Sequence, residues 1–194
     1  MNFEHIIDGV LDREAPKWRE GDNGYTDDPD DNGGPTAYGV TQAVARANGY
    51  DGPMRDLPLA LARTIYRNRH IIKPAFDKVA VISPSIAEEL IDTGVNMGPA
   101  KPREFLQRAL NIFNLEGSRY ADLFVDGEIG EVTLLALRKY VRWRGQEGEA
   151  VMVCALNTLQ GGRYFDIAEG NPSQERFTYG WFRTRVLQSM KGFT

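Results

Sequence analysis

Phe3, Ile6, Ile7, Val10 and Leu11 recur at the spacing that lines one face of a helix. Pro16 cannot continue that helix, so its end is predicted near Glu14 or Ala15. From Pro16 to Val40 the chain is rich in Gly, Asp, Asn and Pro, which is turn chemistry around at most short strands. The pattern then changes. From about Thr41 onward nearly every segment has a 3.6-residue period: TQAVARANG, LPLALARTIYRNRHII, SPSIAEELIDTGVNMG, AKPREFLQRALNIFN, GEVTLLALRKYVRWRG, GEAVMVCALNTLQGGRYFDIAEG and QERFTYGWFRTRVLQSMK. Breaks fall at Gly49 to Pro53, Pro74, Ser83-Pro84, Gly98-Pro99 and Asp126-Gly127, and Asp56 and Ser83 are expected to be helix N-caps. There is no internal repeat and no low-complexity linker. The expected fold is α+β, predominantly helical, with one small β-hairpin or loop excursion near the N-terminus.

Composition changes this picture little. At 194 residues, 42% hydrophobic and 26% charged, the chain can bury one sizeable core or two small lobes. A net charge of −4 gives no basic face for nucleic acid. Cys154 lies in the apolar run AVMVCALNTL and is expected to be a buried structural thiol. No apolar stretch approaches the roughly 20 residues of a membrane span, and MNFEHIIDGVLDRE lacks a signal peptide's apolar block. A protein made and kept in the cytoplasm unless something else releases it, without stable membrane insertion, is therefore expected; it is also expected to be a monomer.

The stretch GYTDDPDDNGGPTAYGVTQ sets four aspartates beside a glycine pair, with no Lys or Arg. Three readings compete for it. One is a solvated acidic loop. Another is calcium binding, but the twelfth position counted from Asp27, where an EF-hand loop has Glu, falls on Tyr38. The third is glycoside hydrolysis, which needs two carboxyl groups facing each other across a sugar. A helix ending in Glu, followed by a glycine-rich hairpin carrying Asp and Thr, would put such groups on opposite walls of a cleft. Gly33, Gly34 and Gly39 would let backbone and sugar approach closely.

These residues resemble a known signature. GYTDDPDDNGGPTAYGVT is similar to EGGY-x-x-D-P-x-D-x-GG-x-T-x-x-GIT of glycoside hydrolase family 108, phage and bacterial muramidases with a C-terminal predicted peptidoglycan-binding domain. The resemblance continues through IYRNRH, DTGVNMGPAKPREFLQRALN, VDGEIGEVT and FTYGWFRTRV, so five motifs follow in order over nearly the whole chain. It departs in two places. His70-Ile71 stand where the family has Tyr-Trp, and Asp22-Asn23-Gly24-Tyr25 stand where it has Glu-Gly-Gly-Tyr.

The resemblance implies a lysozyme-like catalytic lobe over 1–98 and a helical C-terminal lobe over 99–194, acting on peptidoglycan between N-acetylmuramic acid and N-acetylglucosamine. The family's acid follows helix one, and the spacing from Phe3 through Leu11 to Glu14 preserves that register with one insertion, APKWREGDN. Glu20, the reserve, requires two insertions and sits on a loop. Asp31 is the expected second carboxylate, with Thr36 positioning a water and Asp28 in reserve as a turn former before Pro29. Tyr25, Gly33, Gly34 and Tyr38 are expected to border the substrate. Trp18 and Tyr25 are candidates for the apolar cover that keeps an acid protonated.

Other residues fit plainer roles. Two histidines, His5 and His70, and one distant cysteine disfavour a zinc amidase. Neither metal nor cofactor is expected, since carboxylates and water suffice. Arg63, Arg67, Arg69 and Lys73 form a basic helical face, solvated or meeting muramic peptides, and Tyr164, Phe165, Phe177, Trp181 and Phe182 read as core or as a sugar platform. A wall-degrading activity without an export signal implies a phage endolysin dependent on a holin. The alternatives are a non-catalytic wall-binding or secretion-accessory protein of the same fold, and a chitinase.

Overall fold

The structure, a computed structural model, describes residues 3–27 and 34–187. Asp28, Asp31 and Gly33, singled out above, lie outside the described residues. The chain forms two compact units, residues 2–72 and 73–194.

In the first unit, α1 (Glu4–Glu14) buries Ile7, Val10 and Leu11, with Phe3 and Ala15 extending the stripe at its two ends. Each such side chain, fully withdrawn from water, contributes about 1.5–3 kcal/mol if large. The helix ends where Pro16 dictates, with the Ala15 N–H still reaching the Leu11 carbonyl at 2.8 Å. After a single 3-10 turn (Trp18–Glu20), β1 (Thr36–Ala37) and β2 (Val40–Thr41) pair antiparallel, Thr36 opposite Thr41. The two residues between them, Tyr38 and Gly39, both have positive φ (52° and 72°), the requirement of a type I′ hairpin. The Thr41 hydroxyl then caps α2 (Gln42–Ala47), accepting from Val44 N–H at 3.4 Å.

Next, α3 (Leu59–Arg67) packs on α1, burying Ala62, Ile65 and Tyr66, and runs on into a π turn (Asn68–Ile72). Asp56 does not cap α3, contrary to expectation. It closes a preceding 3-10 turn (Met54–Asp56), and the entry to α3 is made two residues later by Pro58, which leads into Leu59 without any side-chain cap. Arg63 and Arg67 are committed to α1 instead of to an open basic face. Arg63 pairs with Glu4 (2.6 Å) and with Asp8, and Arg67 with Glu4 at 3.2 Å.

The second unit is helical. It contains α4 (Phe76–Ile82), α5 (Pro84–Met97), α6 (Ala100–Ile112), α7 (Glu131–Gly170) and α8 (Glu175–Trp181). Ser83 does cap α5, accepting from Ile86 N–H at 3.4 Å with Pro84 in the first turn. Helix α4 has no counterpart in the sequence pattern, because FDKVAVI is too short to display a helical period. At Gly145 (φ 63°, ψ −155°) α7 is non-helical, so it is two helices meeting end to end, as the segmentation at that glycine implies. Leu90, Ile91, Leu106, Leu110, Leu134, Leu137, Met152 and Leu156 form the core where α5, α6 and α7 meet.

Cys154 is exposed, contrary to expectation. The buried stripe of that part of α7 runs through Met152, Val153, Leu156, Asn157 and Gln160, and the helical turn carries residue 154 away from it. The aromatic residues at the end form a partly open cluster. Tyr164 is fully buried and stacks on Trp181 (centroids 5.0 Å), while Phe165, packed on Phe182 at 5.1 Å, is 55% exposed.

Candidate active site

The end of α1 and the turn of the hairpin meet in the first unit. A Cβ built on Gly39 would lie 2.7 Å from Glu14 Cβ, 2.9 Å from Glu14 Oε2 and 2.7 Å from Tyr66 Oη. Glu14, the last residue of α1, thus rests against a backbone position where any side chain would be strained in φ and would press on Glu14 and Tyr66. Its residue is otherwise exposed. The result is a carboxylate on the end of a rigid helix, backed by a hairpin turn and open to solvent.

Tyr66 completes this corner. Its hydroxyl donates to the Tyr38 carbonyl at 2.6 Å, tying α3 to the hairpin. Burial, and then the negative charge of Glu14, push the phenol well above its usual pKa, so it stays a donor. One turn on, His70 stacks on Tyr66 (centroids 6.1 Å) with its Nδ1 buried and without a partner among the described residues. Burial, aided by Arg69 and Arg13, pulls His70 down to about 4, so the ring is neutral at neutral pH.

The hairpin arm is fixed from its other side. Thr36 exchanges both backbone hydrogen bonds with Thr26 at 2.9 Å, and its hydroxyl donates to the Gly34 carbonyl at 3.0 Å. Tyr38 is only 7% exposed, and its N–H donates to the Asn23 carbonyl at 2.6 Å. Gly34 has φ +64° and open space where a side chain would be. Tyr25 is half-buried, with Arg55 5.5 Å from its ring and its hydroxyl 3.3 Å from Asp27.

Of the residues expected at the site, the structure brings Glu14 to the hairpin that carries Thr36, Tyr38 and Gly39. Asp31, Asp28 and Gly33 lie outside the described residues. Glu20 is exposed in the excursion between α1 and Gly24, where its N–H donates to the Lys17 carbonyl. Trp18 is turned to a polar neighbour: its indole N–H donates to Asp12 at 2.8 Å, and Arg19 and Arg63 lie 4.3 Å and 5.1 Å from its ring. The Trp18 and Arg19 contacts hold the Asp12 carboxyl below its usual range. Tyr66 is a member of this corner that sequence reasoning misses. Its position on the buried face of α3 reads in sequence as core, and only its hydroxyl has another use.

Among the described residues, no group of three or more His, Cys, Asp or Glu is placed to hold a metal ion. No helix of the described residues is long and apolar enough to cross a membrane.

Residues 9–98 match the family model described as Glycosyl hydrolase 108, and residues 101–186 match the one described as Predicted Peptidoglycan domain. No curated protein matches the chain. Among solved structures, the structure of Brucella abortus SagA is similar, with a TM-score of 0.51 and 23% identity over 95% of this chain and 93% of that one. At that identity the likeness concerns the fold.

Proposed function

We propose that this chain, whose residues 9–98 match the glycosyl hydrolase 108 model and whose residues 101–186 match the predicted peptidoglycan domain, is a peptidoglycan hydrolase in which Glu14 is the proton donor. It cleaves the glycan strand between N-acetylmuramic acid and N-acetylglucosamine. The functional division falls at about Gly98, with catalysis before it and wall binding after it.

The observation that carries this reading is the seat of Glu14 against Gly39. General acid catalysis requires a carboxyl held in a fixed direction next to a surface that a sugar can approach. A helix end supplies the direction, and a side-chain-free turn supplies the approach. A bound sugar would exclude water from this open corner, which is the environment a carboxylic acid needs to act as donor near neutral pH.

Asp31 serves as the second carboxylate, holding a water on the opposite face of the sugar ring. The Thr36 hydroxyl spends its hydrogen on Gly34, which leaves its oxygen free to accept from that water. Tyr25, Gly33, Gly34 and Tyr38 border the substrate. Release of lytic activity of this kind suits a phage endolysin that reaches the wall with a holin's help, which expression with and without a membrane-permeabilising partner tests.

Glu14→Gln keeps the shape and removes the proton, so release of reducing ends from purified peptidoglycan should fall by about 10²–10⁴-fold, with stability nearly unchanged. Glu20→Gln should be nearly silent. The reverse pattern would move the acid to the loop. A second reading, a wall-binding accessory protein without turnover, is favoured by the exposure of Glu14 and the polar orientation of Trp18. Binding to wall sacculi with no new reducing ends from the unmodified chain would select it.

A further inference from the structure

In the second unit a groove runs along α6 and the later half of α7. Its middle section, a cavity of about 340 Å³, has Lys101, Glu104 and Arg108 on the α6 side and Gly162, Arg163 and Asp166 on the α7 side. The spacings i, i+3 and i+7 on α6 place those three charges in one row. Lys101 pairs only locally with Glu104 (2.7 Å) and Arg163 with Asp166 (3.6 Å), while Arg108 is exposed and makes no ion pair among the described residues.

The groove continues at both ends. Lys101 and Arg163 also line a neighbouring cavity of about 310 Å³ that reaches Trp181, and Arg108 and Leu159 also line an apolar one that reaches Ile112 and Phe113. The middle section therefore offers mixed charge with one spare cation, in a chain whose net charge is −4.

We propose that this α6–α7 groove binds the peptide stem of peptidoglycan, an extended short peptide carrying several free carboxylates. The proposal rests on the wall-binding reading given above and assigns it a place. From Lys101 to Arg108 is seven helical residues, roughly 10 Å, the reach of about three residues of extended peptide. Local i,i+3 ion pairs on a surface contribute little stability, so a carboxylate of the stem can displace Glu104 or Asp166 readily. Arg108 is left to form a two-pronged contact with another.

Gly162 supports the same assignment. A glycine inside a helix is less favourable than alanine, because its backbone has more freedom to lose. At Gly162 nothing lies within 4 Å of where a Cβ would be, so packing does not demand the glycine. What its absence of side chain does is keep the floor of the groove open.

The test uses the full-length chain and a free stem tripeptide, which has no glycosidic bond and so reports on the groove whether or not Glu14 is catalytic. Titration calorimetry should show binding that weakens at least tenfold in Arg108→Glu and in Gly162→Phe, with unchanged thermal unfolding. Arg138→Glu, an exposed change on the earlier half of α7, should bind as the unmodified chain does. Capping the peptide's carboxylates as amides should abolish the signal. No binding of the tripeptide by the unmodified chain, equal binding by both groove variants, or binding that survives amidation would each overturn the proposal. So would capture of peptide-free glycan alone with the same sensitivity to Arg108→Glu.

Discussion

Gly39→Ala is the most direct perturbation of the proposed acid, because it displaces Glu14 without replacing any ionisable group. Two costs follow from the structure. At φ +72° an alanine is held in the left-handed region, which costs about 1 kcal/mol. Its methyl group would also sit 2.7 Å from Glu14 Cβ and from Tyr66 Oη, so both side chains must move. Moving Tyr66 breaks its 2.6 Å hydrogen bond to the Tyr38 carbonyl, at about another 1–2 kcal/mol. Urea unfolding should therefore show a loss of about 2–3 kcal/mol. Displacement of Glu14 by even an ångström should lower reducing-end release by about 10²-fold, as misplaced catalytic groups do. Gly24→Ala is the control: its φ is +62° and its methyl would meet Ala15 Cβ at an ordinary 3.4 Å, so it should cost only the backbone strain and leave turnover within a fewfold. The reasoning fails if Gly39→Ala costs no more than Gly24→Ala and keeps full turnover, since Glu14 could not then be seated against the turn.

Tyr66→Phe removes the hydroxyl and leaves the Tyr38 carbonyl unpaired, so stability should fall by about 1–2 kcal/mol and turnover by more than the stability loss explains, read by urea unfolding and steady-state kinetics on one preparation. His70 gives a pH prediction. Its folded pKa of about 4 lies below the unfolded 6.5, so the unfolded chain binds the extra proton first; full stability is present above about pH 6.5 and is lost as pH falls toward 4. With the ring partly exposed, the loss attributable to it should be about 1–2 kcal/mol, and His70→Gln should flatten the unfolding free energy over that window by the same amount. A slope that survives the substitution would assign the acid sensitivity to other groups.

Much of the fold was legible because its signals are local. Phe3 to Leu11 and Pro16 mark α1 and its end, Ser83-Pro84 marks the start of α5, and Gly145 divides α7. Where the answer lay in tertiary partners, the pattern was silent. Arg63 and Arg67 look like a free basic face until Glu4 and Asp8 on α1 are brought opposite them. Cys154 sits in an apolar run, yet the stripe that α7 buries is set by α5 and α6 and bypasses it. In the corner where α1 meets the hairpin, the place of Glu14 at the helix end could be read from helix register, but the bond made by Tyr66 could not. A tyrosine on a buried helical face looks identical whether its hydroxyl is idle or, as here, bonded to a hairpin 28 residues away in sequence.

The insertion between α1 and Tyr25 raises the question of whether the acid has moved, and the path of the chain bears on it. Gly24 returns to the end of α1: its missing side chain would lie 3.4 Å from Ala15 Cβ and 3.8 Å from the Glu14 carbonyl oxygen. Residues 16–23 are therefore an excursion that leaves the helix end and comes back to it, stabilised within itself by the Trp18–Glu20 turn and by Asp22 accepting from Gly24 N–H at 2.9 Å. Such a loop adds chain without changing what its ends hold together, and its length is cheap in closure entropy. In space Glu14 stands next to Gly24-Tyr25, the adjacency that the motif Glu-Gly-Gly-Tyr has in sequence. Glu20, by contrast, is carried on the excursion itself, exposed and without the helix that would aim it. Register and return path thus support the same glutamate by separate routes: the first from the spacing of apolar residues along α1, the second from the backbone contact between Ala15 and Gly24.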